Sequence, residues 1–238
     1  MATDVTLSNL TKKYGEIVAV DNLNLHIRAG EFFTLCGPDG CGKSTVLRMA
    51  AGIEMPDEGT VRFGDQDMTG VPPSRRNVGT VFQDSALFPY LTVRENMAFG
   101  LRGRHLTREE IAARIRATLT MVRLDGAADR RAQDLSRDEQ RWAALARALV
   151  IRPNVLLLDE PLSGMDPHVR AANRTLLREL ILDSGITTIH ATPDREDALC
   201  LSDRMAVMKD GKIEQLGTPQ EIYFSPANEF VALSLIHI

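Results

Sequence analysis

Apolar positions near the N-terminus alternate with polar ones: Val5 and Leu7, then Leu23, Leu25 and Ile27. A period of two belongs to strands with one buried face, so this segment predicts antiparallel strands. The run Phe32-Phe33-Thr34-Leu35-Cys36 is apolar on both faces and ends at Gly37-Pro38, as expected for a strand buried inside a sheet. From Lys43 the pattern turns helical through Leu47 and Ala51, and Gly52 stops it. Thr107-Arg108-Glu109-Glu110 is a capping box, followed by Ile111, Ile115, Leu119 and Val122 on one helical face. An Ala- and Leu-rich stretch predicts a second helix from about Arg137 to Val150. Val155-Leu156-Leu157-Leu158 reads as another buried strand, ending at Asp159-Glu160. Asp166-Pro167 opens a helix to about Asp183, and Ile186 to Ala191 is a further strand. Met205 to Met208 and Ile213 to Leu216 flank an Asp210-Gly211 turn, which predicts a hairpin.

Strands alternating with helices predict an α/β fold with a mainly parallel sheet and right-handed crossovers. Residues 88–150 read as a helical block inserted between the strand-bearing parts 1–87 and 151–238. Lys+Arg 28 against Asp+Glu 32 gives a net charge of -4, which argues against nucleic acid as a partner. Three cysteines, Cys36, Cys41 and Cys200, make no disulfide framework and suit a reducing compartment. No stretch is apolar for long enough to cross a bilayer, and MATDVTLSNL lacks the pattern of a signal peptide. The expectation is a cytosolic protein that reaches a membrane only through a partner.

The chemistry concentrates at Gly37-Pro38-Asp39-Gly40-Cys41-Gly42-Lys43-Ser44, a full G-x-x-x-x-G-K-[ST] pattern between strand and helix. Glycines let the backbone curl so that N–H groups face phosphate oxygens, and the helix start adds its positive end. Lys43 would reach the β- and γ-phosphates, and Ser44 would offer its hydroxyl to Mg²⁺. Asp159 ends a buried strand, where it would hold Mg²⁺ as well. Glu160 follows, either as the base that polarises water or as a simple turn or cap residue.

These residues, in this order, resemble the ATP-binding subunit of an ABC transporter, most of all importers of the sugar, polyamine and ferric-ion type. Tyr14 in Lys12-Lys13-Tyr14-Gly15 is similar to the aromatic that stacks on adenine. The segment from Gly37 to Thr45 is similar to the phosphate loop, and Gln83 to the glutamine that touches metal and attacking water. Leu156 to Pro161 resembles the strand carrying the magnesium Asp and catalytic Glu, and Ser163-Gly164-Met165-Asp166 the loop that crosses the dimer interface. The resemblance implies a P-loop NTPase fold of RecA-like type, with an N-terminal antiparallel β subdomain and an inserted helical subdomain. It implies ATP and Mg²⁺ as cofactors, a homodimer or heterodimer of such subunits, and transmembrane permease subunits as partners. It places the chain at the cytoplasmic face of the cell membrane, driving import, with sugar the weakly favoured cargo. Ala86 to Leu91 would line the groove for the permease's coupling helix. The end, Gly217-Thr218-Pro219 to Phe230-Val231-Ala232, is similar to importer subunits just before a C-terminal regulatory domain, which is expected to be absent. Leu233 to Ile238 depart from the family's usual continuation and are expected to lie outside the catalytic core.

Two places depart from the family. The signature Leu-Ser-Gly-Gly-Gln stands here as Leu135-Ser136-Arg137-Asp138-Glu139. Ser136 keeps the hydroxyl that would close on the partner's nucleotide, but both glycines have become charged residues. Asp138 and Glu139 are expected to repel phosphate, Arg137 to offset part of that, and the acids also suit a helix's first turn. The family's γ-phosphate histidine is Pro193, which has no side-chain donor. Nearby His190 lies within a strand and reads as a core or strand-face residue. The expectation is an importer ATPase with weakened hydrolysis; the alternative is a nucleotide-binding regulatory or structural subunit with little turnover. A metabolic P-loop kinase gives no reason for the ordered Gln83, Ser136 and Ser163–Asp166.

Overall fold

The computed structural model describes residues 2–236. Strands β1 (Val5–Tyr14) and β2 (Ile17–Ile27) form the N-terminal hairpin, with Val5 opposite Ile27 and Tyr14 opposite Ile17. Strand β3 (Phe32–Cys36) is buried along its whole length and leads through the glycine-rich loop into α1 (Lys43–Ala51). Strands β4 (Glu58–Phe63) and β5 (Gln66–Asp67) return to the open edge of β1. They complete an antiparallel sheet in the order β2-β1-β4-β5. Strand β6 (Val78–Val81) then precedes α2 (Val93–Leu101), α3 (Arg108–Met121) and α4 (Arg137–Leu149). The chain continues as β7 (Val155–Asp159), α5 (Pro167–Ser184), β8 (Thr187–Thr192) and α6 (Arg195–Leu201). It closes with the hairpin β9 (Arg204–Lys209) and β10 (Lys212–Gly217), then α7 (Pro219–Phe224) and α8 (Glu229–Ile236). The second sheet runs β10-β9-β3-β8-β7-β6, parallel except between β9 and β10. Asp210 and Gly211 both take positive φ, 47° and 79°, as a two-residue hairpin turn of this hand requires.

Successive side chains of β3 serve opposite faces of the sheet. Phe33 and Leu35 pack with Val46 and Met49 of α1 and with Leu7 and Leu25 of the antiparallel sheet. Phe32 packs instead with Leu156, Leu158 and the helices, including Met97, Ile115 and Trp142. Helices α2 to α4 therefore share one apolar core with the sheet. The sequence pattern does not predict strands β4 to β6: β5 and β6 are short, and β6 spans only Val-Gly-Thr-Val, too few residues for a period to show. Buried Arg76 is likewise invisible to patterning. Its guanidinium donates to the carbonyls of Met49 and Ala50 at 2.9 Å each and to that of Val71 at 2.8 Å. It thereby closes the C-terminal end of α1, where orphan carbonyls need donors.

Helix α8 lies against the end of β3: Val231 is buried beside Cys36 and Ile222. Leu233 is half exposed but, with Ser234, lines a pocket next to Gly37, Pro38 and Pro193. Leu233–Ile238 are expected to lie outside the catalytic core; 237 and 238 also lie outside the described residues. Removing 233–238 leaves Val231 in place and is expected to lower Tm by less than about 3 °C. A larger drop in a thermal melt would show that the tail is part of the domain's packing.

Candidate nucleotide site

The glycine-rich loop is built by close backbone approach. A Cβ on Gly37 would sit 2.4 Å from the Met208 carbonyl oxygen, and one on Gly42 2.3 Å from that of Ala19. Gly42 also has φ 104°, open only to glycine in practice. Pro38, Asp39 and Gly40 form the exposed crest, while Thr45 is half buried in the first turn of α1. Cys41 is buried, and its carbonyl accepts from Gly211 at 3.1 Å. Lys43 folds back across the loop, donating to the carbonyls of Gly37 and Pro38 at 2.8 Å each. Its ammonium thus lies within the concavity rather than in solvent. Burial pushes the Cys36 thiol up to about 12 and raises that of Cys41, so neither is a ready thiolate.

Strand β7 delivers the acids. Ser44 Oγ donates to Asp159 Oδ1 at 3.0 Å, joining the start of α1 to the end of β7. Glu160 follows in the left-handed region, φ 49°, with its N–H on the Ala191 carbonyl at 2.9 Å. Such backbone is strained in a non-glycine residue, and here it turns the carboxylate toward Gln83, whose Nε2 donates to Glu160 Oε2 at 3.2 Å. Burial raises the Asp159 carboxyl above its ordinary range, and burial, then the Asp159 charge, raises that of Glu160. A cation would relieve both. The donor set is hydroxyl and carboxylate oxygen, which suits Mg²⁺. Among the described residues no three His, Cys, Asp or Glu cluster as a metal cage, so remaining ligands would come from phosphate and water. The residues present fit Mg²⁺ held by Ser44 and Asp159. Gln83 stands on Glu160 instead.

Tyr14 ends β1 with its ring 42% exposed and the Lys12 ammonium 5.6 Å from the ring centre. The same hairpin touches the loop through Ala19 and Val20. Ser136 is the cap of α4: it accepts from the Glu139 N–H at 3.2 Å, while Glu139 accepts from the Ser136 N–H at 2.7 Å. Its hydrogen bonds stay within that turn. Arg130 grips Glu139 at 2.6 and 3.3 Å, and Arg141 pairs with Asp138 at 2.9 Å while donating to the Ser163 carbonyl. Both acids are paired within the chain. The Asp138–Arg141 spacing of three could have been read from the sequence; Arg130, on the preceding turn, could not.

Pro193 is exposed, and below it Asp194 and Asp197 meet Arg170 and Arg174 of α5. His190 is fully buried, with Nδ1 3.2 Å from Thr34 Oγ1 and its ring edge-on to Phe32. Burial first, then Arg170, lowers its pKa to about 3. It is a neutral core residue and replaces nothing at Pro193. Because an unfolded histidine gains its proton near pH 6.5 and this one only near 3, stability is withdrawn as pH falls through that window. Between pH 7 and 5, wild type is expected to lose roughly 2 kcal/mol more than His190→Gln in urea titrations. Equal losses would place the acid sensitivity elsewhere.

The profile of the ABC transporter family matches residues 20–163. The chain belongs to the ABC transporter ATP-binding domain family. This ABC domain is 47% identical over 232 residues to the Fe(3+) ions import ATP-binding protein FbpC of Fusobacterium nucleatum, covering 98% of this chain and 62% of that one. It is 52% identical to the spermidine/putrescine import ATP-binding protein PotA of Methylococcus capsulatus, covering 97% and 60%. The chain thus spans about 60% of the length of these curated relatives. A component of the cbiONQ ABC transporter complex of Clostridium perfringens superposes with TM-score 0.85 at 30% identity, covering 94% of this chain and 92% of that one. A dimeric ATP-binding cassette solved after hydrolysis with ADP and Pi gives 0.79 at 33%, covering 90% and 98%. The fold is that of the ABC ATPases, an antiparallel sheet beside a mostly parallel one.

Proposed function

We propose that this ABC domain binds Mg-ATP and, as two facing copies, couples slow hydrolysis to import through permease subunits at the cytoplasmic face of a membrane. The observation that carries this reading is the junction at the loop: Lys43 inside the concavity, Ser44 on Asp159 at 3.0 Å, and Glu160 beside it on Gln83 at 3.2 Å. Lys43 and the loop N–H groups bind the phosphates, with Tyr14 offering its open ring to the base. Bound Mg²⁺, held by Ser44 and Asp159, would supply charge neutralisation at the phosphate oxygens. Glu160, its proton affinity raised by burial, accepts the proton of the attacking water, and Gln83 orients that carboxylate. Residues 88–150 act as the inserted helical subdomain beside a core of 1–87 and 151–238. The pocket between them, lined by Gln83, Ala86, Leu87, Pro89, Gln133 and Gln140, suits a permease segment. Hydrolysis is slow because Pro193 gives no donor to the terminal phosphate, and loss of one such donor typically costs about 10²–10³ in rate.

Pro193 also favours a second reading, a subunit that closes on ATP without useful turnover. Affinity for ATP and steady-state phosphate release, measured on one preparation, separate the two. Glu160→Gln is expected to keep ATP affinity within about threefold and to lower residual hydrolysis at least tenfold. Unchanged turnover would make Glu160 a turn residue and leave the site without its base.

A further inference from the structure

The charges of the altered signature are unevenly matched. Asp138 and Glu139 have Arg141 and Arg130, whereas Arg137 is exposed and has no ion pair among the described residues. Asp39, at the crest of the glycine-rich loop, is also exposed and has no ion pair among them. Both border the candidate site. Asp39 crowns the loop whose Ser44 is bonded to Asp159, Glu160 beside Asp159 is bonded to Gln83, and Gln83 shares a pocket wall with Arg137. An acid on a loop that binds triphosphate adds repulsion unless a cation arrives with the ligand. Among the described residues, Asp84 is the one acid lining the pocket of Arg137, and the two make no ion pair.

A two-fold contact solves this geometry, because a residue pair on one self-complementary face is then made twice. We propose that Arg137 of one copy pairs with Asp39 of a second copy across each nucleotide site. This rests on the paired-copy reading above, and it makes the partner another copy of this chain. A subunit with glycines at its signature would leave Asp39 unmatched, so the swapped charges act as a self-recognition code. The same pair brings a guanidinium beside the phosphates where the family relies on close glycine backbone.

Charge exchange in trans tests this. D39R alone presents two cations to each other, and R137D two anions, yet a mixture of the two variants restores both opposite-charge pairs. Sedimentation velocity with Mg²⁺ and a non-hydrolysable ATP analogue is expected to show wild-type dimers, at least about tenfold weaker self-association for each variant, and recovery in the mixture. D84N should dimerise as wild type does. The pair D39K and R137E repeats the test should a guanidinium at position 39 itself disturb the loop. Analogue affinity of each monomer is titrated alongside, and R137D is expected to match wild type. Loss of analogue binding in wild type would strike at the nucleotide reading. Binding without self-association, R137D dimerising normally, or a mixture no better than its components would each overturn the pairing while leaving that reading intact.

Discussion

Lys43→Ala is expected to weaken Mg-ATP binding by about a hundredfold or more. The ammonium is held inside the loop by two carbonyls at 2.8 Å, so it reaches phosphate without first ordering a free side chain. Hydrogen bonds to charged groups contribute about 1.5–3 kcal/mol each, and Lys43 can direct more than one at the phosphates. Alanine also removes the strap from Gly37 and Pro38, loosening the concavity. Calorimetric titration of wild type and variant, with a melt to confirm folding, gives the answer. Equal affinity in a folded variant would remove the basis for placing nucleotide at this loop.

The second large effect concerns recovery of hydrolysis. In paired copies, Pro193→His repairs the site on a chain's own loop, while glycines at 137 and 138 with glutamine at 139 repair the site on its partner's. Either repair alone is expected to raise turnover only a fewfold, since each site keeps one defect. Together, at protein concentrations high enough to keep the copies paired without Arg137, they should raise it by about 10²–10³, more than the product of the separate gains, because both act on one transition state. Steady-state phosphate release from the four proteins decides it. Family-like turnover in the unmodified chain would show that both departures are compensated. His190 is no candidate for that, being neutral and buried; Arg195, which shares a pocket with Pro193 and Gly37, is the residue to vary next.

Much of this is legible in the sequence alone. The glycine-rich loop, the strand ending at Asp159 and the Asp210-Gly211 hairpin depend on local signals, either a fixed motif or a continuous apolar run. What escaped depends on distant partners. β4 to β6 are strands because β1 and β7 offer them edges, not because of their own periodicity. The left-handed backbone of Glu160 has no signature in a glutamate, since its cause is the contact with Ala191. The ion pair of Glu139 is illegible for the same reason: nothing in the sequence seats Arg130 against it.

The cap of α4 makes the signature turn resistant to change. Ser136 and Glu139 satisfy each other's N–H groups while Arg130 clamps the carboxylate, so the helix now draws stability from the substitutions that altered its chemistry. Returning to glycine at 137 or 138 would cost up to about 1 kcal/mol of helix propensity, and glutamine at 139 would give up the charged pair with Arg130. Each single change there would therefore begin with a loss of helix stability, whatever it did to the rate.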